Sequence, residues 1–253
     1  MKNYTVKILE YLDDRGWDIF TKDQVLSIDT VPRSSVMRGV KELIDQGYLK
    51  VIEKGNYCRH NFADEFVIGT FLVKKGAIAY WSAMNYHGLT EQIPNTVFVQ
   101  TNQWKKNKNI LGIPYKFIQV KEYKMTGYKI QGYGNYRFTI TDIEKTLVDC
   151  FDRPEYSGGY QEIIKAFYQA QINPIKLKRY CKAFNKTAIT KRMAYLTELF
   201  GKPGMDDFID YALSVRNNNY DPFWHYQDAK GRTNERWRLI INIEENEILN
   251  MRQ

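Results

Sequence analysis

The spacing of apolar residues over the first sixty positions is helical at first and then alternates as in a strand. Val6, Ile8, Leu9 and Leu12 lie along a first helix that ends near Gly16. Thr21 and Gln24 have capping-box spacing, in which a Thr hydroxyl and a Gln amide satisfy each other's backbone N–H groups. They open a short helix through Ser27, and 28–31 is the turn after it. Val36, Val40, Leu43 and Ile44 then recur at i, i+4, i+7 and i+8, which places them on one face of a third helix. Pro32 suits its first turn, and Gly47 suits a left-handed stop. Residues 48–52 alternate as a strand, Lys54-Gly55-Asn56 supplies a turn, and Tyr57 to Arg59 begins a return strand. Trp17 and Ile19 are expected to pack against this hairpin. Three helices followed by a hairpin predict a winged helix-turn-helix over 1–62.

A short polar connection at 61–65 is the expected domain boundary. The run 66–73 has strand or linker character, and 76–87 predicts a helix with Ala77, Trp81 and Met84 on one face. Residues 96–101 read as a buried strand, and 115–120 and 127–139 as strands with turns. A second capping box, Thr141 to Glu144, starts a helix whose face is Ile143, Leu147, Cys150 and Phe151. A loop at 153–159 precedes four helices: one from about Ser157, one capped by Asn173 with Pro174 behind it, one over 187–200, and one over 206–215. A polar loop over 217–231 leads to a final strand, 237–243, expected to join the sheet. Glu244, Glu245 and Glu247 close the chain as an acidic tail. The predicted class is α+β: a winged helix-turn-helix, then a larger mixed α/β C-terminal domain over 66–253, a sheet with a helical cluster.

Composition narrows the options. The chain has 253 residues, 43% hydrophobic and 15% aromatic, with a net charge of +8. Residues 1–60 hold ten Lys/Arg and nine Asp/Glu, so nearly all the excess lies beyond them. Basic surface on a globular protein most often meets nucleic acid. No apolar run is long enough to span a bilayer, and the N-terminus is amphipathic and soon acidic, unlike a signal peptide. Cys58, Cys150 and Cys181 are odd in number and far apart, which fits a reducing cytoplasm.

For DNA recognition the candidates are Arg33, Ser34, Ser35, Arg38 and Lys41 on the third helix and Lys50, Lys54 and Arg59 on the wing. Arginine suits guanine because its fork matches O6 and N7. Residues 102–137 hold eight basic residues and one acidic, interleaved with tyrosines, a pattern suited to phosphate contact and base stacking and equally to a half-exposed sheet. Lys176, Lys178, Arg179, Lys182, Lys186, Lys191 and Arg192 form a second basic run, either a solvated face or phosphate contacts. Asp142, Glu144, Asp149, Asp152 and Glu155, with Lys145, are the acids a metal-dependent nuclease would need, although the first two also suit a helix N-terminus. His87 reads as a capping histidine, and His60, His87 and His225 are scattered. No metal, cofactor or nucleophile motif is present, so no enzyme activity and no cofactor is expected.

Four segments together resemble a known family, the AbiEi-type antitoxins of abortive-infection toxin–antitoxin systems. They are the N-terminal winged helix; SAMNYHGLTEQIP (82–94) running into the strand VFVQT; TDIEKTLVDCFDRPEYSGG (141–159); and KRMAYLTELFG (191–201). The resemblance implies a cytoplasmic autorepressor that binds inverted repeats in its own promoter through 33–41 and 50–59. It implies a C-terminal domain that counters a nucleotidyltransferase-like toxin, in general without a stable complex, and a protein monomeric in solution or assembling cooperatively on DNA. Beside it stand two alternatives, a metal-dependent nuclease and a protein-interaction module that binds no DNA.

Overall fold

In the computed structural model, which describes residues 2–224, 228 and 230–251, the N-terminal unit is built as α1 (Asn3–Asp14), β1 (Ile19–Thr21), α2 (Lys22–Val25), α3 (Arg33–Asp45), β2 (Leu49–Glu53) and β3 (Asn56–Arg59). The capping box forms: Thr21 Oγ1 accepts from the Gln24 N–H and Gln24 Oε1 accepts from the Thr21 N–H. Pro32 sits one position before α3 rather than inside its first turn, and Gly47 takes φ +80° after it. The strands are antiparallel in the order β1-β3-β2. Gly39 lets α1 and α3 approach closely, since a Cβ there would lie 2.5 Å from Ile8 Cδ1. Val36, Val40 and Leu43 bury one face of α3 against Ile8, Leu12, Phe20 and Val25.

The run 66–73, expected as strand or linker, is the helix α4 (Glu65–Phe71), capped by Asp64, whose carboxylate accepts from two backbone N–H groups. The expected helix over 76–87 divides into β4 (Gly76–Ile78) and α5 (Tyr80–Tyr86). Next come β5 (Val97–Thr101), β6 (Lys108–Ile110), β7 (Ile113–Gln119), β8 (Tyr128–Gln131) and β9 (Phe138–Thr141). These strands form a mixed six-stranded sheet in the order β6-β7-β5-β4-β9-β8. Every residue of β5 is buried, because alternate side chains feed two different cores. Phe98 packs toward the C-terminal helices, whereas Val97 and Val99 pack beneath α4 and the N-terminal unit. Ile19, Ile52, Cys58 and Phe62 belong to that second core, so the N-terminal unit is seated on the sheet.

The helical layer comprises α6 (Ile143–Asp152), α7 (Tyr160–Gln169), α8 (Pro174–Phe184), α9 (Thr187–Leu199) and α10 (Asp206–Val215). Asp142 rather than Thr141 caps α6, its carboxylate accepting from the Lys145 N–H. The last strand does not join the main sheet. β10 (Asp221–Pro222), β11 (Arg232–Asn234) and β12 (Leu239–Ile241) form a separate small sheet. The expected acidic tail is α11 (Glu245–Asn250), which buries Ile248 and gathers its acids in the first turn. Among the described residues, no helix is long and apolar enough to cross a membrane.

Candidate nucleic-acid interface

The face of α3 opposite its core is open. Arg33, Ser34, Arg38 and Lys41 are exposed, and Ser35 is half-buried. This follows from helical spacing: Ser34, Arg38, Lys41 and Asp45 fall between the buried positions and point away from them. Arg38 and its neighbour Glu42 are both engaged by α1. The Arg38 guanidinium lies 5.1 Å from the centre of the Tyr4 ring, on α1. The hydroxyl of Tyr4 and the ammonium of Lys2 both donate to Glu42, and their hydrogen bonds hold its carboxyl below its ordinary value. The one glutamate on α3 is therefore neutralised from α1, and Tyr4 orients Arg38. Neither role is visible in the pattern beyond Tyr4 lying one turn before Ile8.

The hairpin forms at the expected residues, but not all of its cations are free. Its turn is short, with Gly55 at φ +84° and its carbonyl accepting from the Lys22 N–H. Lys54 is exposed and Lys50 half-buried. Arg59 is not a free cation: its guanidinium donates to Asp13 and to the Leu9 carbonyl, and its side chain is 14% exposed. It ties β3 to α1. Glu53, next to the turn, is bound by Lys105 in the loop between β5 and β6 and by Lys108 on β6. Burial pushes the Glu53 carboxyl up, but the two lysines outweigh it and hold it below its ordinary value. The hairpin is thus strapped to the C-terminal body.

The basic run over 176–192 is not one face. Lys191 and Arg192 are buried within α9. Lys191 Nζ is paired with Asp221 and donates to Asn217 Oδ1 and to the carbonyls of Asn219 and Arg238, and Arg192 donates to the Pro222 carbonyl. Both hold the small C-terminal sheet in place and cannot reach a phosphate. Lys176 is paired with Asp142, which raises its own affinity for a proton, and Lys186 with Asp152. Arg179 donates to the Tyr180 hydroxyl. Lys178 and Lys182 remain exposed.

The acids of the nuclease alternative do not converge. Lys145 pairs with Asp149 inside the body, Lys124 and Lys186 with Asp152, and Lys176 with Asp142, while Glu144 accepts from the Asn173 N–H. No cluster of ligands suited to a metal occurs among the described residues. Burial lowers the Lys145 pKa and raises that of Asp149, and the pairing opposes both shifts. His87 ends α5, and its Nε2–H donates to the Thr141 carbonyl at 2.7 Å. Burial pushes its pKa down, so it is held as a neutral donor rather than a charge on the helix end. His225 lies outside the described residues.

No family model and no curated protein matches the chain. Among solved structures, the Rv2827c protein of Mycobacterium tuberculosis superposes with a TM-score of 0.64 at 12% identity, over 99% of this chain and 94% of that one. At that identity the likeness concerns the fold alone.

Proposed function

We propose that the protein is a cytoplasmic, non-enzymatic DNA-binding repressor and antitoxin. In this reading residues 1–62 are a winged helix-turn-helix that recognises inverted repeats in its own promoter, and 66–253 is the domain that counters a nucleotidyltransferase-like toxin. The observation that carries the DNA half is the open face of α3, with Arg33, Ser34, Arg38 and Lys41 exposed and the nearby Glu42 neutralised by Lys2 and Tyr4. A helix of thirteen residues with one buried and one polar face, followed by a hairpin, has the form that enters a major groove. The toxin half rests on the resemblance to AbiEi-type antitoxins.

Arg59, Lys191 and Arg192 drop out of the DNA contacts, and Lys54 becomes the principal hairpin cation. A gel-shift titration with DNA upstream of the reading frame, against scrambled DNA of equal length at two salt concentrations, tests the repressor claim. A specific shift that weakens as salt rises is expected. The antitoxin claim is tested by co-expression with the product of the adjacent reading frame, whose growth arrest should be relieved.

One observation favours the protein-interaction reading instead: the hairpin is strapped to the body through Glu53, which leaves it less free to follow a DNA backbone. A stoichiometric protein partner with no preference for the upstream DNA would support that reading. Asp142, Asp149 and Asp152 are taken up by lysines and Glu144 by the Asn173 N–H, which gives the nuclease reading no support.

A further inference from the structure

The body carries a second polar surface, made by elements other than α3. The loop between β5 and β6, strand β7 and the turn after α6 enclose a depression of about 490 Å³. Its walls include Trp104, Phe117 and Tyr156, and its cations are Lys105, Lys106 and Arg153. No carboxylate is among its described lining residues. Trp104 is 77% exposed, an unusual position for an indole with no partner to cover it. Tyr156 is fixed edge-on by Tyr80, and Lys116 and Arg153 lie 4.6 and 6.0 Å from its ring centre.

A second depression, of about 620 Å³, continues from Arg153 past Lys121, Tyr123, Lys124 and Lys186. Tyr123 is 53% exposed. The side-chain Oδ1 of Asn102 on its wall is buried with no hydrogen-bond partner among the described residues. Not every cation here is free. Lys105 is held by Glu53, and Lys124 and Lys186 by Asp152; the one carboxylate in the second depression, Glu122, is held by Lys75. Lys106, Lys121 and Arg153 have no acidic partner among the described residues.

We infer that this groove binds single-stranded nucleic acid, with Trp104 and Tyr123 as stacking faces and Arg153 on the phosphates between them. Aromatic faces accept any base, and unpaired cations along the same track follow the backbone. The unsatisfied Asn102 oxygen suits an N–H of a base or a hydroxyl of a sugar. In a duplex the base faces are already stacked and cannot cover Trp104, so the groove discriminates single from double strands. The site uses no residue of α3 and stands or falls separately from the operator reading.

The test is fluorescence anisotropy with the full chain at low salt. The probes are labelled twelve-nucleotide oligo-dT and oligo-U, with an unrelated duplex and uridine monophosphate as competitors. Trp104→Ala and Arg153→Ala are compared with wild type and with the exposed-site control Ile93→Ala, after thermal melts establish equal folding. Each groove variant should weaken single-strand binding roughly tenfold, the scale of one lost stacked base or phosphate contact. The control should bind as wild type, and the duplex should compete poorly. Absent single-strand binding, binding unchanged in both groove variants, or a duplex that competes equally would overturn the inference. Displacement by uridine monophosphate at the same nucleotide concentration would overturn it too, and would make the groove a mononucleotide pocket.

Discussion

At the scale of single residues, the polar groups that matter most are defined by what they touch. His87 donates to Thr141 from a buried position that lowers its pKa, whereas in the unfolded chain an imidazole titrates near its ordinary 6.5. Below about pH 6.5 the unfolded state binds the extra proton, so the stability that neutral His87 contributes is fully present above that pH and is lost as pH falls. Melting temperature should therefore drop between pH 7 and 5 by less in His87→Gln than in wild type; equal drops would contradict this role. Gly39 is defined by space: an added methyl meets Ile8 at 2.5 Å and Tyr4 at 3.0 Å. Gly39→Ala should cost about 1–3 kcal/mol, read from the denaturant midpoint. A gain of up to about 1 kcal/mol, as helix propensity alone would give, would show that α1 can yield. Tyr80 explains one misreading. It takes φ +54°, a left-handed value usually left to glycine, at the joint between β4 and α5. With no glycine or proline to mark that joint, 76–87 reads as one continuous helix.

At the scale of elements, helices whose caps carry a recognisable spacing were legible, and the short buried α4 was not. Asn173 caps α8 with Pro174 behind it, and Thr21 with Gln24 caps α2, as their spacing predicts. α4 buries Val67, Ile68 and Gly69 in succession, and so short an apolar run carries no usable period. The partner of β12 is equally invisible, because alternation shows that a strand has a buried face but not which sheet it joins. Across elements, Lys145 on α6 links to Gln100 on β5, which in turn accepts from Tyr128 on β8. Both Lys145 and Asp149 are fully buried, so removing one leaves the other uncompensated. Lys145→Ala should cost about 3–5 kcal/mol in denaturant unfolding, and Lys145→Met with Asp149→Leu should recover most of it. A small loss in the single variant would mean that water reaches the pair.

At the scale of the whole molecule, the boundary near residue 62 divides the chain but not its core. Ile19, Ile52, Cys58 and Phe62 pack with Val67, Val99 and Phe117, Glu53 is bound by Lys105 and Lys108, and Asp18 accepts from Asn135 at 3.3 Å. Residues 1–62 expressed alone should melt below the full chain and bind a hydrophobic dye through that uncovered face; an unchanged midpoint without dye binding would make the contact dispensable. The candidate DNA face was legible where periodicity governs, at Arg33, Ser34, Arg38 and Lys41. It was illegible where tertiary partners govern, since Asp13 claims Arg59 and Asp221 claims Lys191 across gaps that no local pattern spans. The most direct measurement is the ratio of dissociation constants for upstream and scrambled DNA, in wild type and in Arg38→Ala. Wild type should show a clear preference for upstream DNA. Arg38→Ala should lose about 1–3 kcal/mol of upstream affinity, with little change on scrambled DNA. No wild-type preference, or an equal loss on both DNAs, would contradict sequence reading by α3.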